Sequence, residues 1–264
     1  MSESSGSDPT SGAMPHAEGG VTASTATPAV RCEDLSRRYG EGEASVLAVD
    51  SVSLEFPHGQ LTSIVGPSGS GKSTLMHVLA GLDRPTDGRA WVDGTEITSL
   101  GDSELTELRR DKLGFIFQFF NLIPVLSAEE NVTLPMRIAG RDADSEWLGQ
   151  LLQTVGIADR RKHRPAELSG GQQQRVAVAR ALISKPAVVF ADEPTGNLDS
   201  TSSTQVLELL RRSVDELGRT VVVVTHDPRV ASYADRVVLL VDGKVAQDTA
   251  VQGEDQVLEL MRSV

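Results

Sequence analysis

The sequence has a single cysteine, Cys32, and few aromatic residues, which make up 4% of its 264 residues. One cysteine excludes a disulfide framework and any metal site built from several thiolates. We therefore interpret Cys32 as a buried or half-buried, reduced thiol rather than a catalytic one.

Positive charge is also scarce, because 25 Lys and Arg residues face 37 Asp and Glu residues, which gives a formal net charge of −12. Proteins that bind duplex nucleic acid present a net basic face, so this acidic balance predicts no nucleic-acid partner. It remains compatible with a nucleotide ligand, since a phosphate site needs only local donors.

Long apolar runs are missing as well. The longest, such as residues 187–191 and 237–241, have the length of strands and are far too short to span a bilayer. The first thirty residues contain no Lys or Arg and no apolar segment typical of a secretory signal. Residues 1–29 are rich in Ser, Thr, Gly, Ala and Pro, which predicts a disordered tail. These features predict a cytoplasmic protein.

After residue 30, short apolar strands alternate with helical segments, which predicts an α/β fold with a mostly parallel sheet. The runs at 61–65, 187–191 and 221–225 are apolar and rich in β-branched residues, as in strands covered on both faces. Each run ends in polar residues, and ligands bind beyond the carboxyl ends of such strands. We expect these polar residues to meet at one edge of the sheet.

A glycine-rich segment follows the first of these strands and fits the pattern G-x-x-x-x-G-K-[ST]. Its glycines let the backbone wrap a phosphate with N–H groups pointing inward. Lys72 is predicted to reach the β- and γ-phosphates and Ser73 to ligate Mg²⁺, and the helix that follows directs its positive end at the phosphates. The predicted nucleotide-binding segment is Gly66-Pro67-Ser68-Gly69-Ser70-Gly71-Lys72-Ser73-Thr74.

Polar residues at the other strand ends complete a candidate catalytic site. Asp192 can hold the Mg²⁺ shell, and Glu193 can activate an attacking water as a general base. His226 is predicted to contact the γ-phosphate, and Gln118 to ligate Mg²⁺ or position water. Alone, the carboxylate pair is also typical of an ordinary acidic turn; beside a phosphate loop, the catalytic interpretation is favoured.

The segment Leu168-Ser169-Gly170-Gly171-Gln172 predicts a second helix start suited to a phosphate. With it, the chain resembles the ATP-binding cassette (ABC) ATPases over residues 30–246. The resemblance rests on an ordered set of motifs: Tyr39, residues 66–73, Gln118, residues 168–172, Asp192-Glu193, Leu198-Asp199 and His226.

This resemblance implies a P-loop NTPase with a RecA-like core sheet, a small antiparallel β subdomain and a helical insertion subdomain at about 119–185. Residues 247–264 would form a short C-terminal extension. It also implies ATP and Mg²⁺ as cofactors and hydrolysis of ATP to ADP and phosphate, coupled to transport, with Lys72, Glu193 and His226 as the catalytic residues.

The resemblance further implies a head-to-tail homodimer with two ATP molecules at its interface. The phosphate loop of one protomer would hold each ATP, and Ser169, Gly170, Gly171 and Gln172 of the other would cap it. Tyr39 resembles the aromatic residue that stacks on adenine, with an ordinary surface tyrosine as the alternative. Asp199 resembles a residue that communicates across the interface.

Residues 117–124 and 129–135 are similar to one branch of the family, which includes the ATPases of lipoprotein-release, macrolide-export and antimicrobial-peptide-export systems. The branch implies a separate integral membrane permease of the four-helix type with an extracytoplasmic domain. The chain would then lie peripherally on the inner face of the cell membrane. Phe119 and Phe120, in the loop after a predicted strand, are candidate anchors for this partner.

Two other functions stay open at this point. The related cell-division ATPase, which regulates cell-wall hydrolysis, belongs to the same branch. A soluble ABC ATPase that acts on DNA or ribosomes is disfavoured, because the insertion is too short for a long coiled coil and the chain has one cassette. A nucleotide kinase is excluded, since that fold has no use for the 168–172 segment.

Overall fold

The computed structural model describes residues 27–263, which fold into two sheets with helices around them. The first sheet is antiparallel, in the strand order β2-β1-β4-β5. Its strands are β1 (Val30–Tyr39), β2 (Val46–Phe56), β4 (Asp87–Val92) and β5 (Thr95–Glu96).

The second sheet has the order β10-β9-β3-β8-β7-β6 and is parallel except for its edge strand β10. The order confirms that the three predicted central strands are neighbours, so their carboxyl ends lie at one edge. Its strands are β3 (Leu61–Val65), β6 (Leu113–Phe117), β7 (Val188–Asp192), β8 (Thr220–Val224), β9 (Arg236–Val241) and β10 (Lys244–Ala250).

Eight α-helices occur within residues 27–263, together with short 3₁₀ turns at Gly42–Ala44, Ala158–Arg160 and Pro165–Glu167. None of these helices is long and apolar enough to cross a bilayer. The α-helices are α1 (Lys72–Leu79), α2 (Asp102–Lys112), α3 (Ala128–Ile138), α4 (Ser145–Thr154), α5 (Gly170–Leu182), α6 (Ser200–Asp215), α7 (Pro228–Ala231) and α8 (Glu254–Arg262).

Alternate residues of the central strands enter two separate apolar cores. On β8, Val221 and Val223 pack with residues from α3 to α6, whereas Val222 and Val224 pack with α1, α2 and the antiparallel sheet. The parallel sheet is therefore covered on both faces, which explains the continuous apolar runs in its strands. This arrangement confirms the predicted α/β fold with a parallel core sheet and a separate antiparallel sheet.

The structure revises two predicted boundaries. Ala29, assigned to the disordered tail, is buried, and its N–H donates to the carbonyl of Phe56 at 2.9 Å. The rest of that tail, residues 1–26, lies outside the described residues. The predicted boundary at 246 falls inside β10, which pairs with β9 from Lys244 to Ala250. Helices α3, α4 and α5 all lie between β6 and β7 in the chain.

Candidate functional site

The glycine-rich loop between β3 and α1 has a backbone that only glycine can form at two positions. Gly66 has a φ of +148°, and a Cβ there would lie 2.0 Å from the carbonyl oxygen of Leu240. Gly71 has a φ of +98°, and its Cβ would lie 2.0 Å from the carbonyl oxygen of Ala48. Because these two glycines have no side chain, the loop can pass close to the backbone at Leu240 and Ala48 and keep its curvature.

The loop leads into the N-terminus of α1, which carries no side-chain cap because Gly71 occupies the N-cap position. The first N–H groups of this helix are therefore available to an anion. Lys72 lies beside them, and its Nζ donates to the carbonyl of Pro67 at 2.7 Å. Burial lowers the pKa of Lys72, while the negative charges of Glu193 and Asp192 oppose this effect.

Two of the three predicted magnesium ligands, Ser73 and Asp192, are in direct contact. The Ser73 hydroxyl donates to Asp192 Oδ1 at 3.2 Å, so two hard oxygen ligands meet at the start of α1 and the end of β7. Burial raises the pKa of Asp192 above its usual value, and the hydrogen bond from Ser73 counteracts part of that rise. Gln118 follows Phe117, which pairs with Asp192 across β6 and β7, and its amide packs against Gly196, at 2.9 Å from the position of a Cβ there.

Glu193 and His226 form a direct pair, although 33 residues separate them in the chain. The Nδ1 atom of His226 lies 2.6 Å from Glu193 Oε1, which also accepts the His226 N–H at 3.1 Å. The other carboxylate oxygen, Oε2, accepts a hydrogen bond of 3.1 Å from the Thr225 hydroxyl. Sequence reasoning placed Glu193 and His226 at one edge of the sheet but did not predict that they pair.

Tyr39, the predicted adenine-stacking residue, lies at the end of β1 with 40% of its surface exposed. Its hydroxyl donates to Asp83 Oδ2 at 2.7 Å, and the Arg37 guanidinium lies 4.5 Å from the centre of its ring. Arg37 also contacts the same Asp83 carboxylate at 2.9 Å. The ring is therefore fixed in orientation while much of it stays accessible for stacking.

The second glycine-rich helix start, at α5, is capped by its own side chains. Ser169 Oγ accepts from the Gln172 N–H at 3.3 Å, and Gln172 Oε1 accepts from the Ser169 N–H at 2.9 Å. Gly171 packs so closely on α6 that a Cβ would lie 2.5 Å from Ser202 Oγ. Asp199 caps α6 by accepting from the Ser202 N–H and hydroxyl at 2.9 and 2.7 Å.

Sequence reasoning missed two buried polar residues that hold the site in place. Gln174 is fully buried on α5, and its Nε2 donates to the carbonyls of Pro194 at 2.5 Å and Phe117 at 3.4 Å. Thr225 is also fully buried and contacts Glu193. Thr225 follows four valines in the sequence, which was an available signal, whereas Gln174 lies in the polar run Gln172-Gln173-Gln174-Arg175 and carries no such mark.

Comparisons with known proteins agree with this geometry. The sequence model of the ABC transporter family matches residues 49–196. The uncharacterized ABC transporter ATP-binding protein MJ0796 of Methanocaldococcus jannaschii is 44% identical over 86% of this chain and 99% of its own length. The lipoprotein-releasing system ATP-binding protein LolD of Geobacter metallireducens is 46% identical over 81% of this chain and 96% of its own length.

The macrolide export ATP-binding/permease protein MacB of Marinobacter nauticus is 44% identical over 85% of this chain, but the chain spans only 35% of its length. A solved dimeric structure of MJ0796, described as a post-hydrolysis state bound to ADP and Pi, matches with a TM-score of 0.77 and 43% identity, over 85% of this chain and 99% of that one. The chain therefore belongs to the ABC transporter family as an ATP-binding subunit, an ABC ATPase homologous to the MacB and LolD ATPases.

Proposed function

We propose that this ABC ATPase powers a separate membrane permease in export or force transmission, with a lipoprotein, a peptide or a drug as cargo. The observation that carries the catalytic part is the convergence of Lys72, the Ser73–Asp192 pair and the Glu193–His226 pair at the edge formed by β3, β8 and β7. Phosphoryl transfer to water requires a phosphate-binding loop, oxygen ligands for a metal ion and a general base. This edge of the sheet supplies all three.

In this proposal, the N–H groups of residues 66–74 and the Lys72 ammonium bind the β- and γ-phosphates. Ser73 and Asp192 would hold Mg²⁺ directly or through water, and Gln118 would ligate Mg²⁺ or position water. When bound, Mg²⁺ neutralises the charge that develops on the phosphate oxygens. Glu193 takes the proton of the attacking water, and His226 senses the γ-phosphate.

The same proposal includes a head-to-tail homodimer with two bound ATP molecules. Each ATP is held by the phosphate loop of one protomer and capped by residues 169–172 of the other, while Tyr39 stacks on the adenine. Support comes from the α5 N-terminus, where Gly171 packs on Ser202 of α6 and Gly170 lies near Leu198 and Phe120. Asp199, at the N-terminus of α6, then lies beside the cap and can transmit changes across the interface. The dimeric MJ0796 structure provides further support.

The proposed permease site is the apolar groove formed by β6, α2, α3 and α5, with a volume of about 470 Å³. Phe115 and Phe117 line it as a stacked pair with centroids 5.9 Å apart, and Ile138 at its rim is 72% exposed. Phe119, equally exposed, follows in the loop after β6. Exposed apolar residues around a concave surface suit the apolar face of a helix from a permease.

We propose a permease of the four-helix type with an extracytoplasmic domain, so that the ATPase lies peripherally on the inner face of the membrane. The support is the similarity to proteins named for lipoprotein release and macrolide export. The identity of the permease would separate export from the cell-division role.

The test is capture of membrane partners by the Glu193→Gln variant locked with Mg-ATP, with identification by mass spectrometry. Recovery of a four-helix permease with a large outer domain supports the proposal. Ile138→Glu in the same background should lose that permease, whereas Ala246→Glu, on the exposed edge strand β10 at the far side of the sheet, should keep it. Recovery of ribosomal or DNA-bound proteins without a permease would overturn the transport part of the proposal.

A further inference from the structure

The two carboxylate oxygens of Glu193 have partners of very different solvent exposure. Oε1 contacts His226, whose side chain is 73% exposed. Oε2 accepts its hydrogen bond from Thr225, which has no exposed surface. One oxygen is therefore bonded to an exposed side chain, and the other to a side chain packed in the core.

The Thr225 hydroxyl donates its single proton to Glu193 Oε2. Its oxygen accepts the N–H of Asp227 at 3.0 Å, which uses its acceptor side and leaves its single proton for Glu193 Oε2. The backbone N–H of Thr225 donates to the carbonyl of Ile64 at 3.1 Å, so the residue is fixed to β3 just before the phosphate loop. The hydroxyl thus connects the carboxylate to the rigid centre of the sheet.

The backbone of Glu193 adopts an unfavourable left-handed conformation. Its φ is +46°, in the left-handed region that a residue with a Cβ adopts at a cost of about 1–3 kcal/mol. Its N–H donates to the carbonyl of Val224 at 2.9 Å, which fixes the main chain but leaves the side-chain torsions free. The bond from Thr225, a residue with no exposed surface, is a side-chain contact that restricts those torsions.

We propose that Thr225 is a positioning residue for ATP hydrolysis: its buried hydroxyl holds Oε2 of Glu193 in place when His226 turns toward the nucleotide, so that Oε1 faces the attacking water. This inference rests on the proposed function, in which Glu193 is the general base. In the reaction an O–H bond of water breaks and its proton goes to Oε1. The water oxygen bonds to the γ-phosphorus, and the bond from that phosphorus to the bridging oxygen breaks, so that ADP leaves.

The experiment compares three variants by steady-state kcat, KM for ATP and Mg-ATP affinity. Thr225→Val removes the hydroxyl with little change in shape and should lower kcat about tenfold while KM stays within twofold. Thr225→Ser restores the hydroxyl and should recover most of kcat. Thr220→Val is the matched control, because Thr220 is a buried threonine at the other end of β8 that accepts the Gly59 N–H at 3.1 Å, and its kcat should match the wild type.

A wild-type kcat in Thr225→Val would overturn the proposal, and so would an equal loss in Thr225→Val and Thr220→Val, which would indicate a general structural effect. If Thr225→Val melts below the assay temperature, Thr225→Ala is measured in its place. The expectation is the same: kcat falls about tenfold while KM stays within twofold. Glu193→Gln is measured in parallel. Turnover retained in Glu193→Gln contradicts the proposed base itself, whereas an inactive Glu193→Gln beside a fully active Thr225→Val contradicts only the role of Thr225.

Discussion

Replacing Lys72 by alanine gives the most quantitative test of the phosphate loop. Lys72 is only 8% exposed, and its Nζ donates to a neutral acceptor, the carbonyl of Pro67. Bound phosphate would replace this neutral acceptor by an anionic one, at almost no further desolvation cost for the buried ammonium. A charge-assisted bond contributes about 2 kcal/mol, which is a factor of about 30 in affinity. The carboxylates of Asp192 and Glu193, left without this cation, would repel the phosphates and increase the loss.

We therefore expect Lys72→Ala to raise the Kd for Mg-ATP at least about 30-fold by isothermal titration calorimetry. Lys112→Ala is the control, because Lys112 is an exposed lysine paired with Asp93 outside the site, and its Kd should be unchanged. Circular dichroism checks that both variants fold. A Kd for Lys72→Ala within twofold of the wild-type value would refute the assignment of this loop to phosphate binding.

Three further predictions concern packing. Gly71→Ala should lower the melting temperature and abolish ATP binding, because its Cβ would clash with the Ala48 carbonyl, whereas Gly69→Ala, with no atom within 4 Å, should cause a smaller loss in both. Asn131→Leu should lower the unfolding free energy by about 2–3 kcal/mol in urea titrations. The buried Asn131 amide accepts one backbone N–H and donates to three backbone carbonyls of residues 123–127, and leucine can replace none of these bonds. Burial raises the pKa of Cys32 to about 12, so iodoacetamide at pH 8 should label it only after unfolding; rapid labelling of the native protein would contradict this burial.

The sequence predicted the central features well because their signals are local. Each of β3, β7 and β8 is a short run of mostly apolar residues, and the glycines of the phosphate loop stand at fixed spacing within eight residues. Few strand topologies are then possible, because parallel strands joined by helices bring their carboxyl ends to one edge of the sheet.

The features that sequence reasoning missed depend on contacts between distant segments. The Glu193–His226 pair forms only because β7 and β8 are neighbours, with Asp192 opposite Val224. The domain boundary predicted at 246 fell inside β10 because the residues of this strand are largely exposed and polar, so no apolar alternation marks the strand.

The position of Gln118 was equally hidden, because its amide packs on a glycine 78 residues further along the chain. Side-chain contacts of this kind are set by the packed fold and leave no local pattern in the sequence.

The measurement that tests the central claim most directly is phosphate release by wild-type protein and Glu193→Gln at saturating Mg-ATP, together with sedimentation of the variant with and without Mg-ATP. The substitution keeps the shape of the side chain and removes its basicity, so turnover should fall at least about 100-fold. Mg-ATP should at the same time convert the variant to a dimer, because the nucleotide is bound and not consumed. Wild-type turnover in Glu193→Gln, or a monomer at saturating Mg-ATP, would contradict the account.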